Sequence, residues 1–414
     1  MFTMSCKIST RRVAVTGMGV VSALGSTVSA AWNRLSIYEN LVSSLPELAE
    51  YKGLNSHLAS RFAFVRPSEW TRKTTRTMGE VAMYALAATE QAVAQAGLDA
   101  ATLESGRTGV AYGSCSGSVA PILDFNTMIL TKEVVNITSG TYIKLMPQTA
   151  ACNLSVHYRT HGRLVPTGTA CTSGSLAIGN AYELIKYGLQ DVMIAGGGEE
   201  FSPTQVAVFD TLFATSFRND APKTTPAPYD AERDGLVIGE GAATFILEEW
   251  EHAKARGATI LAEIVGFCEN TDGTHVTNPN AETMAGALKG ALADASLPPD
   301  AIGCVNGHGT ATKAGDAAET FATRSVFNRA VPIHSTKSYI GHTLGACGAI
   351  EAMVTVESLR HGWWHPTLNL RNPSADCAEL DYIMGDGRHI ECEYAMSNNF
   401  AFGGVNTSLV FRKV

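Results

Sequence analysis

The amino-acid sequence predicts an α/β fold with buried sheets. Short apolar runs alternate along the chain with segments of helical periodicity, and small residues occupy the turns between them. The composition agrees, because 45% of the 414 residues are apolar and only 17% are charged, which is typical of a globular protein with a large core. A chain of this length can form two large cores or one duplicated unit.

The individual elements follow in chain order. They are a strand over 12–16, a turn at 17–19, a helix over 79–97, strands over 109–112, 191–195 and 243–247, and a helix through Glu251 and Lys254. The alternation starts again near residue 260 and continues to Val414, without a linker-like tract. We therefore predict two tightly joined α/β halves, 1–260 and 261–414.

Charge and cysteine content narrow the function classes. The net charge of −8 argues against nucleic acid as the main partner. The nine cysteines include no Cys-x-x-Cys pair, which argues against a disulfide framework and fits a reducing compartment. No apolar run approaches the roughly 20 residues that span a bilayer, and the basic segment 1–12 lacks the apolar stretch of a secretion signal. We expect a soluble, cytoplasmic protein without a membrane partner.

Cys171 is the first candidate for a reactive group. It lies where a run of small residues turns into a helical pattern, whose apolar positions are Ala177, Ala181, Leu184 and Ile185. The thiol is therefore expected at, or one residue before, a helix N-terminus, where unpaired N–H groups favour an anion and lower a thiol's pKa. This segment alone leaves two interpretations open, a thiolate nucleophile or a small buried hydrophobic residue.

Two histidines lie among small residues. His308 is flanked by glycines and followed by Thr310 and Thr312, while His342 follows Lys337 in a second glycine-rich segment. Glycines beside a histidine let a substrate approach the ring closely. Either histidine alone would more commonly be a buried structural residue, but two such segments together with the cysteine favour a shared site.

One thiol and two imidazoles are compatible with several chemistries. A zinc site with three protein ligands is possible, but the residues lie in separate segments with no close ligand pair, which lowers that option. A Cys–His hydrolase needs only one base. Two imidazole N–H donors fit better with a reaction in which negative charge develops on a carbonyl oxygen.

Near the C-terminus, Phe400 and Phe402 beside two glycines predict a turn with available N–H groups, although an ordinary turn would explain them equally well.

Four motifs carry a resemblance to a known family. They are Thr-Ala-Cys171-Thr-Ser-Gly, Gly-His308-Gly-Thr-Ala-Thr, Lys337-Ser-x-x-Gly-His342-x-x-Gly-Ala and Asn-Phe-x-Phe402-Gly-Gly-x-Asn. In this order they resemble the β-ketoacyl-acyl-carrier-protein synthases, condensing enzymes with a Cys-His-His active site. The resemblance implies a thiolase-type fold with two similar halves in α-β-α-β-α layers, and a reaction that needs no redox or metal cofactor.

The resemblance also implies an activity. The protein would be an acyltransferase that performs a decarboxylative Claisen condensation during fatty-acid or polyene chain elongation. Cys171 would accept an acyl group from acyl carrier protein. His308 and His342 would hold the thioester oxygen of malonyl carrier protein while CO₂ leaves, and the resulting carbanion would attack the acyl-cysteine.

Further roles come from the same resemblance. The N–H groups of Cys171 and Phe402 would form an oxyanion hole, and Phe402 would move as a gate. Lys337 would orient the histidines from a position opposite Glu319. The substrate contacts implied are Thr310, Thr312, Phe400, Ser116 and Glu319.

A basic segment before the first predicted helix is expected to bind the acidic carrier protein. It contains Arg72, Lys73 and Arg76, and Arg218 with Lys223 would add to it. A solvated basic helix start would look the same in the sequence. The resemblance further implies a homodimer, or a heterodimer with a subunit similar to a chain-length factor.

The acyl specificity and two alternative classes remain to be considered. Ser116 stands where long-chain relatives often carry a bulky aliphatic residue, and the segments 137–142 and 147–150 resemble the aryl-polyene ketosynthases.

A non-catalytic chain-length factor would typically lack the nucleophile. A degradative thiolase would have a second catalytic cysteine, whose motif does not occur here. The sequence therefore favours the condensing enzyme.

Overall fold

The computed structural model describes residues 10–414, so the prediction for the segment 1–12 lies largely outside the described residues. The strands are β1 (Val13–Ser22), β2 (Ser43–Ser44), β3 (Leu58–Ser60), β4 (Thr108–Gly113), β5 (Leu164–Thr167), β6 (Val192–Glu199), β7 (Ile238–Gly239), β8 (Gly241–Glu249), β9 (Ala262–Thr271), β10 (Ile302–Asn306), β11 (Pro332–His334), β12 (Trp363–Trp364), β13 (Asp381–Tyr382), β14 (Arg388–His389), β15 (Tyr394–Ala401) and β16 (Val405–Arg412).

The α-helices lie between these strands. They are α1 (Val28–Ser36), α2 (Arg72–Thr75), α3 (Glu80–Ala96), α4 (Ala100–Glu104), α5 (Ala120–Thr131), α6 (Ser139–Leu145), α7 (Thr149–Tyr158), α8 (Ser173–Lys186), α9 (Pro203–Asp210), α10 (Trp250–Ala255), α11 (Ala281–Asp294), α12 (Lys313–Phe327), α13 (Lys337–Ile340) and α14 (Cys347–His361). The predicted helix over 79–97 is confirmed as α3.

The main sheet repeats one topology in two sets of five strands. The sheet runs in the order β13-β11-β10-β15-β16-β9-β1-β8-β6-β4-β5. Read from the outer side to the middle of the sheet, the first set is ordered β5-β4-β6-β8-β1 and the second set is ordered β11-β10-β15-β16-β9. When the strands of each set are numbered in chain order, both sets have the order 3-2-4-5-1. The parallel and antiparallel pairings also correspond. The structure thus contains two similar halves.

The two halves meet through β1 and β9 and through two central helices. The antiparallel pairing of β1 with β9 is short and joins Val13 to Ile264 and Val15 to Ala262. Helices α8 and α14 contact each other between the two half-sheets, while α3 and α7 cover one outer face and α11, with α12 beside it, covers the other. This arrangement confirms the predicted α-β-α-β-α layers. The division at residue 260 stays a prediction, because the sheet is continuous.

Helix α14 lies deep in the core. Only its last two residues, Arg360 and His361, are exposed to any extent, so this helix places polar side chains such as Glu351 deep inside the molecule. A search of the chain from residue 10 onwards finds no helix that is both long enough and apolar enough to cross a bilayer.

The predicted turn at 17–19 is wrong, because β1 runs through these residues to Ser22, with only a register shift against β8 between Val15 and Gly17. The glycines there serve close packing of α3 across the strand. A Cβ atom on Gly17 would lie 2.1 Å from the carbonyl oxygen of Ala92, and one on Gly19 would lie 2.0 Å from that of Ala88. Only a residue without a side chain allows this approach.

Candidate active site

Cys171 lies in a 3₁₀ turn, Ala170–Thr172, that leads directly into α8. The thiol is therefore close to the predicted helix N-terminus, but it is also almost completely buried, at 4% exposure. Burial raises its pKa to about 11, although the Lys337 ammonium and the backbone N–H groups of Phe402 and Cys171 act in the opposite direction. The predicted lowering of this pKa is wrong, because desolvation of the sulfur outweighs the nearby donors.

His342 directly contacts the cysteine. Its Nε2 lies 2.9 Å from Cys171 Sγ, and its Nδ1 accepts a hydrogen bond from the Leu344 N–H at 3.2 Å. An Nδ1 that accepts leaves the proton of a neutral ring on Nε2. The backbone places the ring through Gly341, whose φ of +65° and close approach to the Val237 carbonyl exclude a side chain.

His308 follows β10 and faces the same cavity. Its Nδ1 lies 3.0 Å from the Lys337 ammonium and 3.3 Å from the Asn399 amide nitrogen, both of which are donors. The proton of the neutral ring is therefore assigned to Nε2 here as well. The two imidazole rings lie 5.2 Å apart and nearly perpendicular. Burial, together with the Lys337 charge, holds the pKa of both imidazoles well below the usual range, so both stay neutral.

A buried ion pair fixes the histidine side of the site. The Lys337 ammonium pairs with Glu351 of α14, and Glu351 also accepts a hydrogen bond from the Asn399 amide at 2.6 Å. Burial alone would lower the pKa of Lys337, but the Glu351 carboxylate more than offsets it and the pKa lies above its usual range. Neither Glu351 nor Asn399 was predicted as a site residue. The available signal was a carboxylate and an amide in apolar surroundings within the recognised motifs.

Lys337 pairs with Glu351 rather than with the predicted Glu319, although Glu319 lies near enough for its charge to help raise the pKa of Lys337. Glu319 instead accepts the backbone N–H groups of His308 at 2.6 Å and Gly309 at 2.7 Å, and the Tyr229 hydroxyl at 3.2 Å. Its carboxylate therefore shapes the loop that carries His308. Glu319 also lines the cavity that leads to Cys171, and its assignment as a substrate contact stays a prediction.

A cavity of about 550 Å³ leads to the thiol. Its lining includes Cys171, His308, His342, Thr310, Thr312, Phe400 and Phe402. The hydroxyls of Thr310 and Thr312 lie 2.9 Å apart. The ring of Phe400 packs edge-on against His308, with 6.0 Å between centroids. All of these predicted residues therefore share one cavity.

Phe402 lies on the tight turn between β15 and β16. Its ring packs on Phe209, with 5.0 Å between centroids, and it is only partly buried. Gly403 and Gly404 follow with φ values of +89° and +71°, which L-residues with side chains rarely adopt. The turn therefore presents the Phe402 N–H to the sulfur while keeping the ring at the cavity wall.

The remaining predicted residues lie away from this cavity. Ser116 is not among the lining residues, and its hydroxyl lies 3.4 Å from a Glu199 oxygen. Arg72, Lys73 and Arg76 are exposed at and after α2. Arg218 differs, because its guanidinium pairs with Asp234 at 3.3 Å and donates to two backbone carbonyls. These internal bonds argue against a docking role for Arg218.

The three reacting side chains have a spacing that would also suit the ligands of a single metal ion. The sulfur of Cys171 and one ring nitrogen each of His308 and His342 lie within 4.8 Å of one another. The three groups, which the sequence predicted to form a shared site, therefore lie close together although they come from separate segments. The distances alone would accept a metal ion as well as a reacting carbonyl oxygen, and the metal-free site stays a prediction.

Comparison with known proteins agrees with this geometry. The family models described as Beta-ketoacyl synthase, N-terminal domain, and Beta-ketoacyl synthase, C-terminal domain, match residues 10–253 and 261–371. The 3-oxoacyl-[acyl-carrier-protein] synthase 2 of Vibrio cholerae is 38% identical, over 98% of this chain and 100% of that protein. The corresponding synthase 1 of Escherichia coli is 34% identical, over 98% of this chain and 99% of that protein.

Solved structures show the same relationship. A beta-ketoacyl synthase from Burkholderia phymatum superposes with a TM-score of 0.96 at 54% identity, covering 98% of this chain and 100% of that one. The ketosynthase AntDE, solved with its acyl-carrier protein AntF, superposes with a TM-score of 0.87 at 32% identity and covers 98% and 100% of the two chains. The chain therefore belongs to the β-ketoacyl synthase family.

Proposed function

We propose that this protein is a 3-oxoacyl-[acyl-carrier-protein] synthase, an acyltransferase that elongates acyl chains by decarboxylative Claisen condensation. One observation carries the proposal. The sulfur of Cys171 and the Nε2 atoms of two neutral histidines, His308 and His342, face one cavity. The family membership of the whole chain supports the same activity.

The first half-reaction transfers the acyl group to Cys171. With a pKa of about 11, the thiol is protonated at neutral pH, and a small thiolate population reacts. The sulfur attacks the thioester carbonyl of the acyl carrier, and the departing carrier thiol takes up the proton, so net protonation is unchanged. The N–H groups of Cys171 and Phe402 are placed to bind the oxyanion of the tetrahedral intermediate.

The second half-reaction uses the histidines. The Nε2–H groups of His308 and His342 donate to the thioester oxygen of the malonyl group, and CO₂ leaves with the C–C bond electrons passing into an enolate. The enolate carbon attacks the acyl carbonyl, the C–S bond to Cys171 breaks, and the sulfur leaves as a thiolate that takes up one proton from solvent. Two fixed, neutral donors on buried side chains stabilise such an oxyanion without reorganisation.

The experiment measures both half-reactions separately. Acylation is followed by the mass of the intact protein offered an acyl carrier, and decarboxylation by CO₂ release from malonyl carrier protein. Cys171→Ala should remain unacylated and should not elongate. His308→Ala and His342→Ala should lose about 10²–10³-fold in CO₂ release, the usual cost of removing one oxyanion donor. The proposal would be contradicted if Cys171→Ala were acylated, or if both histidine variants released CO₂ at the wild-type rate.

Carrier-protein docking is assigned to the basic segment at α2. Arg72, Lys73 and Arg76 are exposed there, and carrier proteins are acidic. The double variant Arg72→Glu/Lys73→Glu should raise KM for the acyl carrier protein, with a smaller salt dependence. The matched substrate control is the same acyl group on free pantetheine, whose KM should not change. An equal effect on both substrates would refute docking at this segment.

We assign the dimer contact to the outer edge of the N-terminal half-sheet. Strand β5 ends the sheet, and an uncovered edge strand is a ready site for pairing. Exposed apolar residues from α5 and the segment after it are Leu123, Ile129, Leu130, Val134 and Val135. The expected partner is a second copy, with a chain-length-factor-like subunit as the alternative. Light scattering of the wild type and of Leu130→Asp should show a dimer and its loss, whereas a monomeric wild type would favour the alternative.

The acyl specificity is proposed to favour aryl or polyene chains over saturated ones. Ser116 carries a small hydroxyl that donates to the buried carboxylate of Glu199. The surroundings of this position are therefore more polar than they would be with a bulky aliphatic residue there. A solved structure described as the ishigamide ketosynthase/chain length factor contains a chain that shares the fold, with a TM-score of 0.89 at 26% identity. Competition between saturated and polyenoyl carriers tests the proposal, and a preference for the saturated carrier overturns it.

A further inference from the structure

Glu199 is a buried carboxylate that the proposed chemistry does not use. It ends β6 and is fully buried. Its oxygens accept the backbone N–H groups of Cys115 at 2.7 Å and Gly345 at 3.1 Å, and the hydroxyls of Ser114 at 3.2 Å and Ser116 at 3.4 Å. A buried carboxylate is tolerated only when donors satisfy it in this way.

One of these contacts leads directly to a catalytic side chain. Gly345 lies in the 3₁₀ turn Leu344–Ala346. The N–H of Leu344, the preceding residue, donates to His342 Nδ1 at 3.2 Å, and His342 Nε2 contacts Cys171 Sγ at 2.9 Å. Glu199 is thus two hydrogen bonds and one peptide unit away from the imidazole that faces the thiol.

The turn is also enclosed on its other sides. A Cβ atom on Gly345 would lie 2.7 Å from a Glu199 oxygen. The Gly345 carbonyl oxygen lies 2.3 Å from the Cβ position of Gly197 on β6 and 2.9 Å from that of Gly174 on α8. Glycines at all three positions bring the turn, the strand β6 and the helix α8, which follows Cys171, into direct contact. The carboxylate is the polar anchor of this contact.

We propose that Glu199 is a positioning residue, which holds the 344–346 turn so that the Leu344 N–H keeps His342 in the tautomer with its proton on Nε2. The inference rests on the proposed role of His342 as an oxyanion donor. The hydrogen-bond acceptors of Glu199, rather than its charge, carry the effect. Loss of the anchor should impair decarboxylation more than acylation, because the oxyanion hole of acylation uses the N–H groups of Cys171 and Phe402.

The test compares Glu199→Ala with Glu199→Gln. Gln can turn its carbonyl oxygen to the two backbone N–H groups and its amide to the two serine hydroxyls, which can accept. We therefore expect Gln to retain CO₂ release close to the wild-type rate. Ala leaves two backbone donors unsatisfied and lets the turn move, so CO₂ release should fall about 10- to 100-fold relative to acylation, as expected for a misplaced catalytic group.

A spectroscopic measurement reads the imidazole without any substrate. In enzyme with ¹⁵N-labelled histidine, the two ring nitrogens of His342 should report a single Nε2–H tautomer in the wild type and in Glu199→Gln. In Glu199→Ala they should report a mixture. Because this readout needs no turnover, it separates failure of the positioning role from failure of the proposed condensing activity.

Glu200→Ala is the matched control. Glu200 is the adjacent buried carboxylate and accepts the N–H groups of Val119 at 2.6 Å and Val81 at 3.2 Å, without contact to the turn. Its removal should lower stability and change both half-reactions in proportion. If Glu199→Ala does not fold, Glu199→Asp, one methylene shorter, is measured in the same way. The proposal would be overturned if Glu199→Ala, or Glu199→Asp in its place, kept the wild-type tautomer and the wild-type ratio of the two half-reactions. It would also be overturned if Glu199→Gln were as impaired as Glu199→Ala.

Discussion

Replacing Lys337 with methionine should damage both the stability and the chemistry of the protein. The side chains have similar length, so the substitution removes the ammonium while largely keeping the packing. In the structure this ammonium contacts Glu351 and lies 3.0 Å from His308 Nδ1. The substitution therefore leaves a carboxylate without its partner and an imidazole without its main donor.

The energetic cost follows from burial. The side chains of Lys337 and Glu351 are only 1% and 2% exposed, so water cannot replace the missing charge. Breaking a buried pair from one side costs about 3–5 kcal/mol, a large part of the roughly 5–15 kcal/mol that stabilises a folded protein. The double variant Lys337→Met/Glu351→Gln has no stranded charge, and it should recover most of the loss.

The catalytic cost follows from the tautomer of His308. Without the ammonium, Nδ1 keeps only the longer contact to Asn399, at 3.3 Å. The ring can then carry its proton on Nδ1 and present a bare lone pair to the cavity. Loss of one oxyanion donor corresponds to a fall of about 10²–10³-fold in the rate of CO₂ release.

Two assays check this reasoning. Urea unfolding gives the free energy of unfolding of the wild type, the single variant and the double variant, and CO₂ release from malonyl carrier protein gives the rate. The single variant should be the least stable of the three, and both variants should be slow. A single variant as stable as the double variant, or one that decarboxylates like the wild type, would refute the electrostatic role assigned to Lys337.

Three further predictions concern single positions. Burial raises the pKa of Cys171 to about 11, so its alkylation by iodoacetamide should accelerate about tenfold per pH unit from pH 7 to 10 as the thiolate fraction grows; a plateau below pH 8 would contradict this. Gly341→Ala places a Cβ 2.4 Å from a carbonyl oxygen at positive φ, so both the free energy of unfolding and the rate of CO₂ release should fall. The control Gly53→Ala, whose Cβ would have nothing within 4 Å, should cost only local backbone strain. Gly17→Ala places a Cβ 2.1 Å from a carbonyl of α3 and should lower the Tm; an unchanged Tm would show that α3 can shift.

Local patterns in the sequence predicted the fold class and marked the candidate reacting groups, whereas their roles came from the family resemblance. The alternation of strands and helices predicted the α/β class, and the small residues around Cys171, His308 and His342 marked the site. The strand through Gly17 was misread as a turn because the reason for that glycine is a helix more than sixty residues further along the chain. Local composition cannot show such a contact.

The electrostatics could not be predicted from the sequence because they depend on how the halves pack. A helix N-terminus predicted a lowered pKa for Cys171, but the enclosed position between α8 and α14 reverses the sign. Glu319 and Glu351 both lie on helices near the motifs, and only the three-dimensional arrangement shows which of them faces Lys337.

The repeated topology has a consequence for how the enzyme fails. The sulfur belongs to the first set of strands and helices and both imidazoles to the second, so neither half on its own holds a complete set of reacting groups. Their separation is fixed by the seam between α8 and α14, across which Cys347 Sγ contacts the Cys171 carbonyl at 3.2 Å. Mutations or denaturants that loosen this seam should abolish turnover while each half still keeps its secondary structure.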